Sequence, residues 1–361
     1  MADTIAEQIA ALKDEDWAIR EEAATMLGTL RDPRAVVPLV SVLRDDDRAV
    51  RDAAISALLA IGEPAVTTLG ACLSDPVLTV QELASSALAT IADARVLAPL
   101  VTALASPDWI VRMHAAKALG RIQDPEAVAP LVPLLQDKVK AVREETSTAL
   151  AAIGEAALSS LLAALTHTEW LVRLHAVEAL GKTRSPEAVD PLLSVLFNDR
   201  DRAVREDAVR ALGQIGDARA VEFLVSAMKE PGLRPLAVEA LGRIGDRRAV
   251  PVLINVLEAL DRPEISRPID GCGDHWDEER LTLGEAVRAL GIIRDEAAIP
   301  SLIKGLRYTV TRADAADALT RFGSGVIAPL LALLAHEPDD NIRYHIKETL
   351  AKVGWRAGRV S

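Results

Sequence analysis

Two short runs and one irregular stretch carry most of the side chains in this 361-residue chain that could hold a ligand or do chemistry. WIVRMHAAKALG sets Trp109, Ile110, Met113 and His114 close together, and WLVRLHAVEALG repeats the arrangement with Trp170, Leu171, Leu174 and His175. Tryptophan and its apolar neighbours would anchor a partner, and imidazole would orient it through a polar contact. The irregular stretch, residues 259–284, reads ALDRPEISRPIDGCGDHWDEERLTLG. Its Cys272, Asp274, His275, Asp277, Glu278 and Glu279 are donor types that ligate cations, and Trp276 is a further contact anchor. The stretch has no second cysteine, and its spacing matches no established metal motif. A partner-contact loop or lid, an inert surface loop and a metal site are its three readings. No Ser–His–Asp set is identifiable. Nor is there a phosphate-cradling Gly loop, since GRIGD and GQIGD recur as repeat ends.

The elements that must position these residues follow from a ruler in the chain. Leucine returns at 27, 58, 88, 119, 150, 180, 212, 241, 290, 319 and 350, in steps near thirty except one of 49. A recurring unit of that length is the mark of a stacked repeat protein. In the unit Asp93–Ile122, DARVLAPLVTALAS reads as a short amphipathic helix and DWIVRMHAAKALGRI as a longer one. Val111, Ala115, Leu119 and Ile122 form one apolar stripe on the second helix. Asp32-Pro33, Glu63-Pro64, Asp124-Pro125 and Ser185-Pro186 open first helices, with proline where its missing N–H is harmless. A second proline recurs at 38, 99, 130, 191, 251, 300 and 329, and is read as a repeated mid-helix kink. The long step marks an insertion about 18 residues beyond the usual period. Pro263, Pro268, Gly271 and Gly273 forbid a regular helix through its middle, which gives a loop at about 261–280.

Seven residues before the key leucine stands an arginine: Arg20, Arg51, Arg112, Arg143, Arg173, Arg205, Arg234, Arg312 and Arg343, with Gln81 and Leu283 as exceptions. Acids such as Asp16, Asp47, Asp108, Glu169 and Asp201 lie upstream. An anion-binding stripe is conceivable. A structural Asp–Arg ladder between repeats is preferred, because a feature present in nearly every repeat is what stacking demands.

The pattern carried by Val50-Arg51, by residues 204–213 (VREDAVRALG) and by residues 245–250 (GDRRAV) resembles HEAT repeats, and most closely the bacterial subclass also found in phycobilin lyases. The likeness covers nearly the whole chain. It implies an all-α, right-handed α-solenoid of about eleven helix pairs, with second helices lining the concave side. HEAT-like deoxyhypusine hydroxylases hold iron with repeated His-Glu pairs; here only His336-Glu337 is such a pair.

Used as a ruler, the leucine exposes copies that depart from the pattern. Positions nine and six before it should face outward. Most copies place small or acidic residues there, such as Ala49 and Asp52 or Ala203 and Glu206. Two copies instead have Ile110 with Met113 and Leu171 with Leu174, flanked by the tryptophans and histidines above, with Lys140, Glu144 and Glu145 between them. An exposed apolar face of this kind marks a binding surface. The competing reading buries these residues between curved repeats. A shared metal is excluded for His114 and His175, because neighbouring helices pack roughly 8–10 Å apart and these lie two repeats apart, whereas metal–nitrogen bonds are about 2 Å.

Half the residues are apolar but only 3% aromatic, so Ala, Leu and Val must form the core. A net charge of −12 argues against a broad phosphate-binding surface and a basic nucleic-acid groove. Cys72 reads as a small core residue. The opening residues lack a signal-peptide pattern, and no apolar run is long enough to span a membrane. The reading is therefore a cytoplasmic solenoid over residues 1–353 with polar-faced end helices and a mobile tail, 354–361. It would be a non-catalytic scaffold, without cofactor, that holds a protein or peptide partner in its concave face. The alternatives are a lyase or chaperone-like factor for a bilin, as the resemblance implies, and a structural subunit of a larger assembly.

Overall fold

A computed structural model describes residues 2–91, 93–230, 232–261 and 274–355. Among these residues the fold is all-α, with eleven pairs of helices and no strand. The chain divides into two compact units, residues 1–183 with six pairs and 184–361 with five. In the first unit the second helices, Trp17–Leu30, Arg48–Ile61, Leu78–Ile91, Trp109–Ile122, Lys140–Ile153 and Trp170–Thr183, pack one against the next. In the second, Arg202–Ile215, Arg234–Ile244, Asp274–Ile293, Arg312–Thr320 and Asp340–Lys352 do the same. Each second helix also packs on the first helix of its own pair. This is an α-solenoid architecture.

The leucines that set the period are its core, since all eleven are fully buried. A matching buried leucine comes from the first helices, among them Leu39, Leu69, Leu100, Leu131 and Leu161. Burial of each such side chain stabilises by about 2–3 kcal/mol. Cys72 is buried as expected, and that burial pushes its thiol pKa up.

The acids before the second helices have a different task from the one expected. Asp16, Asp47, Asp108 and Asp201 are N-caps that accept from the backbone N–H two residues on. The arginine column reaches elsewhere. Arg20 Nη1 donates to the carbonyls of Asp14 and Glu15 at 2.9 and 3.0 Å. Arg51, Arg112, Arg143 and Arg173 tie the same two turn carbonyls in their own repeats. The other edge of the guanidinium can then face the next repeat. Arg20 grips Asp45 and Arg112 grips Asp137, each with two nitrogens at 2.7–2.9 Å, and Arg205 meets Glu230. Gln81 keeps the turn contact with its amide, 2.6 Å from the Asp75 carbonyl.

The recurrent prolines stand at the start of the α segments rather than mid-helix. Most of these helices begin as a 3-10 turn, such as Pro33–Ala35, followed by a short α segment, such as Val36–Ser41. Pro38, Pro99, Pro130, Pro191 and Pro329 are third in their α segments, and Pro251 and Pro300 second. There the N–H has no partner within the helix, so proline costs no hydrogen bond.

Glycine in the ALG motif is a packing residue. A Cβ on Gly120 would lie 2.6 Å from Ala149 Cα, and Gly28 shows the same approach to Ala57 at 2.8 Å. Four residues after the key leucine the chain turns through positive φ. Glycine fills that step at 62, 154, 216, 245, 323 and 354, but Arg31, Gln123, Arg184 and Arg294 hold φ of 50–58° there. A side chain in that region costs about 1 kcal/mol. Gln123 recovers part of it by donating to the Ala152 carbonyl at 2.7 Å.

Candidate functional site

All eight residues of the two tryptophan–histidine runs lie in the first unit. Trp109 and Trp170 open their helices and are each 41% exposed. Ile110, Met113, Leu171 and Leu174 are half-buried, so the apolar face is narrower than an outward-facing stripe. Lys140 and Glu144 between them form an exposed pair, 3.2 Å apart.

His175 is not part of that surface. It is buried between successive second helices. Its Nε2 accepts from Arg143 Nε at 3.0 Å, and Nδ1 lies 3.0 Å from Glu178 Oε2. Arginine only donates, so Nε2 is the acceptor and Nδ1 is the ring atom that faces the carboxylate. Burial pushes the Glu178 carboxyl up, but hydrogen bonds from His175 and Lys182 outweigh it and hold the pKa below its ordinary value. His114 is half-buried, with Nδ1 3.2 Å from Ser85 Oγ of the preceding repeat. Burial first, then Lys117, lowers its pKa. Ser85 is fully buried and donates to the Glu82 carbonyl at 2.9 Å, so this Ser–His pair is a tie between repeats rather than a nucleophile with its base. The expected polar role for His175 therefore fails, because five residues before the leucine the helix faces its predecessor. Nearby, burial and the charge of Asp108 push the Glu82 carboxyl up.

The ruler also locates residues that the sequence reading passed over. Ten residues before the key leucine stand Trp17, Arg48, Leu78, Trp109, Lys140 and Trp170, all exposed. Trp17 and Leu78 are 48% and 46% exposed. The helices that carry this column pack in succession, so the six residues form one row along the N-terminal ends of the first unit's second helices. The signal was present in the sequence, at the same position as Trp109. In the second unit Phe197 and Phe223 are also exposed, with ring centroids 6.3 Å apart.

The insertion differs from the expected loop. Helix Asp274–Ile293 starts inside it, so Asp274, His275 and Trp276 are helical, while Cys272 lies outside the described residues, as do residues 356–361 of the tail. No proline or glycine interrupts DHWDEERLTL, which lets the second helix extend backward. Glu278 accepts from the backbone N–H of Gly232 at 2.7 Å. Asp261 holds the near end through Lys304 Nζ at 2.5 Å and Tyr308 Oη at 2.8 Å. Glu337 of the single His-Glu pair is buried and accepts from the Asp339 N–H, with Arg307 at 3.6 Å. Among the described residues no three His, Cys, Asp or Glu side chains converge as a metal site. No single described helix is long and apolar enough to cross a membrane.

The geometry is thus one of stacked repeats with a surface row and no assembled reaction centre among the described residues. The model of HEAT repeats matches residues 5–89, 66–151, 128–196, 158–232 and 189–267, and that of the PBS lyase HEAT-like repeat matches 283–308. The chain belongs to the HEAT-repeat family. It is 33% identical over 199 residues to phycocyanobilin lyase subunit alpha of Pseudanabaena tenuis, covering 51% of this chain and 70% of the relative. To deoxyhypusine hydroxylase-B of Oryza sativa it is 31% identical, over 61% of this chain and 74% of the relative. It is 38% identical to bilin biosynthesis protein PecE of Mastigocladus laminosus over 64 residues, 18% of this chain and 24% of that protein. Among solved structures, yeast importin-beta (Kap95p) superposes with a TM-score of 0.63 at 15% identity, over 97% of this chain and 57% of that chain. Kap121p bound to the extreme C-terminus of the phosphatase Cdc14p gives 0.66 at 14%, over 98% and 46%. At these identities the likeness speaks to fold.

Proposed function

We propose that this HEAT-repeat protein is a non-catalytic scaffold that holds a protein partner, or an extended segment of one, along the face of its second helices. The exposed row Trp17, Leu78, Trp109 and Trp170 carries the reading. Four large apolar side chains on separate repeats, with Arg48 and Lys140 between them, offer anchors spaced for a segment rather than a pocket for a small molecule. Ile110, Met113, Leu171 and Leu174 widen the anchors at the fourth and sixth repeats. His114 and His175 hold the helices beneath them. The complex of Kap121p with the end of Cdc14p supports the reading by showing a chain of this fold with a protein segment bound. Affinity purification from the native cell, comparing the wild type with Trp109→Ala/Trp170→Ala, tests it. Loss of a specific partner from a folded variant is expected, and undiminished capture of the same partner would refute the assignment.

A second reading has the relatives' names behind it: a lyase or carrier for a bilin, as for phycocyanobilin lyase subunit alpha. The same apolar row would then face the tetrapyrrole rings. Titration with phycocyanobilin, followed by absorbance, separates the two. A red-shifted band that is lost in the double tryptophan variant supports the bilin, and an unchanged spectrum leaves the scaffold.

A further inference from the structure

A cavity of about 330 Å³ in the second unit draws its walls from three repeat junctions, with Arg247, Arg294 and Arg321 on its rim and Glu296, Ile293 and Phe322 beside them. Three guanidinium groups against one carboxylate leave the lining two positive charges in excess, in a chain whose net charge is −12. Two neighbouring carboxylates offset this excess in formal charge. Asp295 is 3.7 Å from Arg247, and Asp317 meets Arg321 at 3.3 Å as an exposed pair one helical turn away. Arg294 makes no ion pair among the described residues.

At the step four residues after the key leucine, where six repeats have glycine, Arg294 holds φ 56°, as Arg31 and Arg184 do at 50° and 54° in their own repeats. Unlike Gln123, which donates to the next repeat, its side chain makes no contact of that kind to offset the strain. A strained position that keeps a long cationic side chain on the rim of a cavity is a pointer to function. Ile293 and Phe322 give the cavity an apolar side, which a bare inorganic ion would not use.

We propose that this cavity binds an organic phosphate monoester, its dianionic head between the three arginines and its apolar body against Ile293 and Phe322. Guanidinium forks suit phosphate oxygens, and Arg294 offers one that no carboxylate occupies among the described residues. This site is independent of the row in the first unit, so either proposal can fail alone.

Calorimetric titration of the full chain with phenyl phosphate, with inorganic phosphate and with sodium chloride at matched ionic strength tests the inference. Saturable binding of phenyl phosphate, tighter than inorganic phosphate, is expected. Arg294→Gly restores the residue that other repeats use, so the variant should melt at or above the wild-type temperature while binding falls about tenfold, the loss of one charge-assisted contact. Arg321→Gln should weaken binding similarly. Absence of saturable binding by phenyl phosphate, or equal affinity in Arg294→Gly, would overturn the site. Equal affinity for phenyl phosphate and inorganic phosphate would overturn the role of Ile293 and Phe322.

Discussion

Gly120→Ala sets two magnitudes of opposite sign against each other. In an exposed helix interior the change stabilises by about 1 kcal/mol, because alanine loses less backbone entropy. Here the added Cβ would stand 2.6 Å from Ala149 Cα and 2.7 Å from Ala149 Cβ. Carbon atoms rest at roughly 3.5–4.0 Å. Helices Trp109–Ile122 and Lys140–Ile153 must therefore separate by about 1 Å, which opens the buried layer of Leu119 and Leu150. Overpacking of this kind costs about 1–3 kcal/mol, and the clash is with backbone, which cannot swing aside as a side chain would. The expected outcome is a net loss of about 1 kcal/mol, the middle of the overpacking range less the entropic gain, read from the urea midpoint at unchanged m-value. Ala149→Gly in the same chain removes the clash between the two methyl groups but leaves the new methyl pressed on the backbone, so it should rescue only part of the loss. Gly154→Ala provides the contrast. It has φ 75° with ψ −129°, outside the left-handed helical region, and nothing within 4 Å, so it should cost about 1–3 kcal/mol of backbone strain and show no coupling to Ala149. A Gly120→Ala protein as stable as the wild type would refute the account of helix spacing.

Arg112→Lys keeps the charge but loses the two-nitrogen grip on Asp137 and the tie to the Ser106 and Pro107 carbonyls; a loss of about 1–3 kcal/mol in chemical denaturation is expected, and none would contradict the ladder. The Arg95 side chain, then its backbone N–H, lowers the Asp93 carboxyl from 3.8 to about 2. A depressed folded value contributes stability above pH 3.8 that is lost as pH falls towards 2, so Asp93→Asn should flatten the acid branch of the stability profile in that window. Trp17→Ala with Trp170→Ala should leave thermal stability within about 1 kcal/mol of the wild type, since both are surface substitutions. A loss several times larger would mean that the row covers the repeats rather than awaiting a partner.

Periodicity made the fold legible because each repeat must present the same apolar column to its neighbours. One misplaced leucine would leave a cavity. The charged columns were half legible. Regular spacing located Arg112, but its target lies in the turn of the next repeat, and the nearer Asp108 was taken up by the helix N-terminus. Pro38 was visible, but its meaning depended on where a 3-10 turn hands over to an α segment, a boundary without its own sequence mark. The candidate row was legible in part. Counting from the leucine found Trp109 and Trp170, and the same count contains Trp17. His175 misled because helical phase alone does not say which flank meets the preceding helix. Arg294 was unreadable, since its character rests on a backbone angle and on neighbours from two other repeats.

The shortness of the first helices divides the labour of folding. In the fifth repeat the α segment is only Val128–Leu131, between 3-10 turns, whereas the paired second helix has fourteen residues. Four residues cannot sustain a helix in water, while fourteen approach the length at which one persists. The first helices therefore depend on packing against the second helices for their order. Amide exchange should show that dependence. Protection should fall along residues 128–136 long before residues 140–153, so that the first-helix side opens while the second-helix side stays formed.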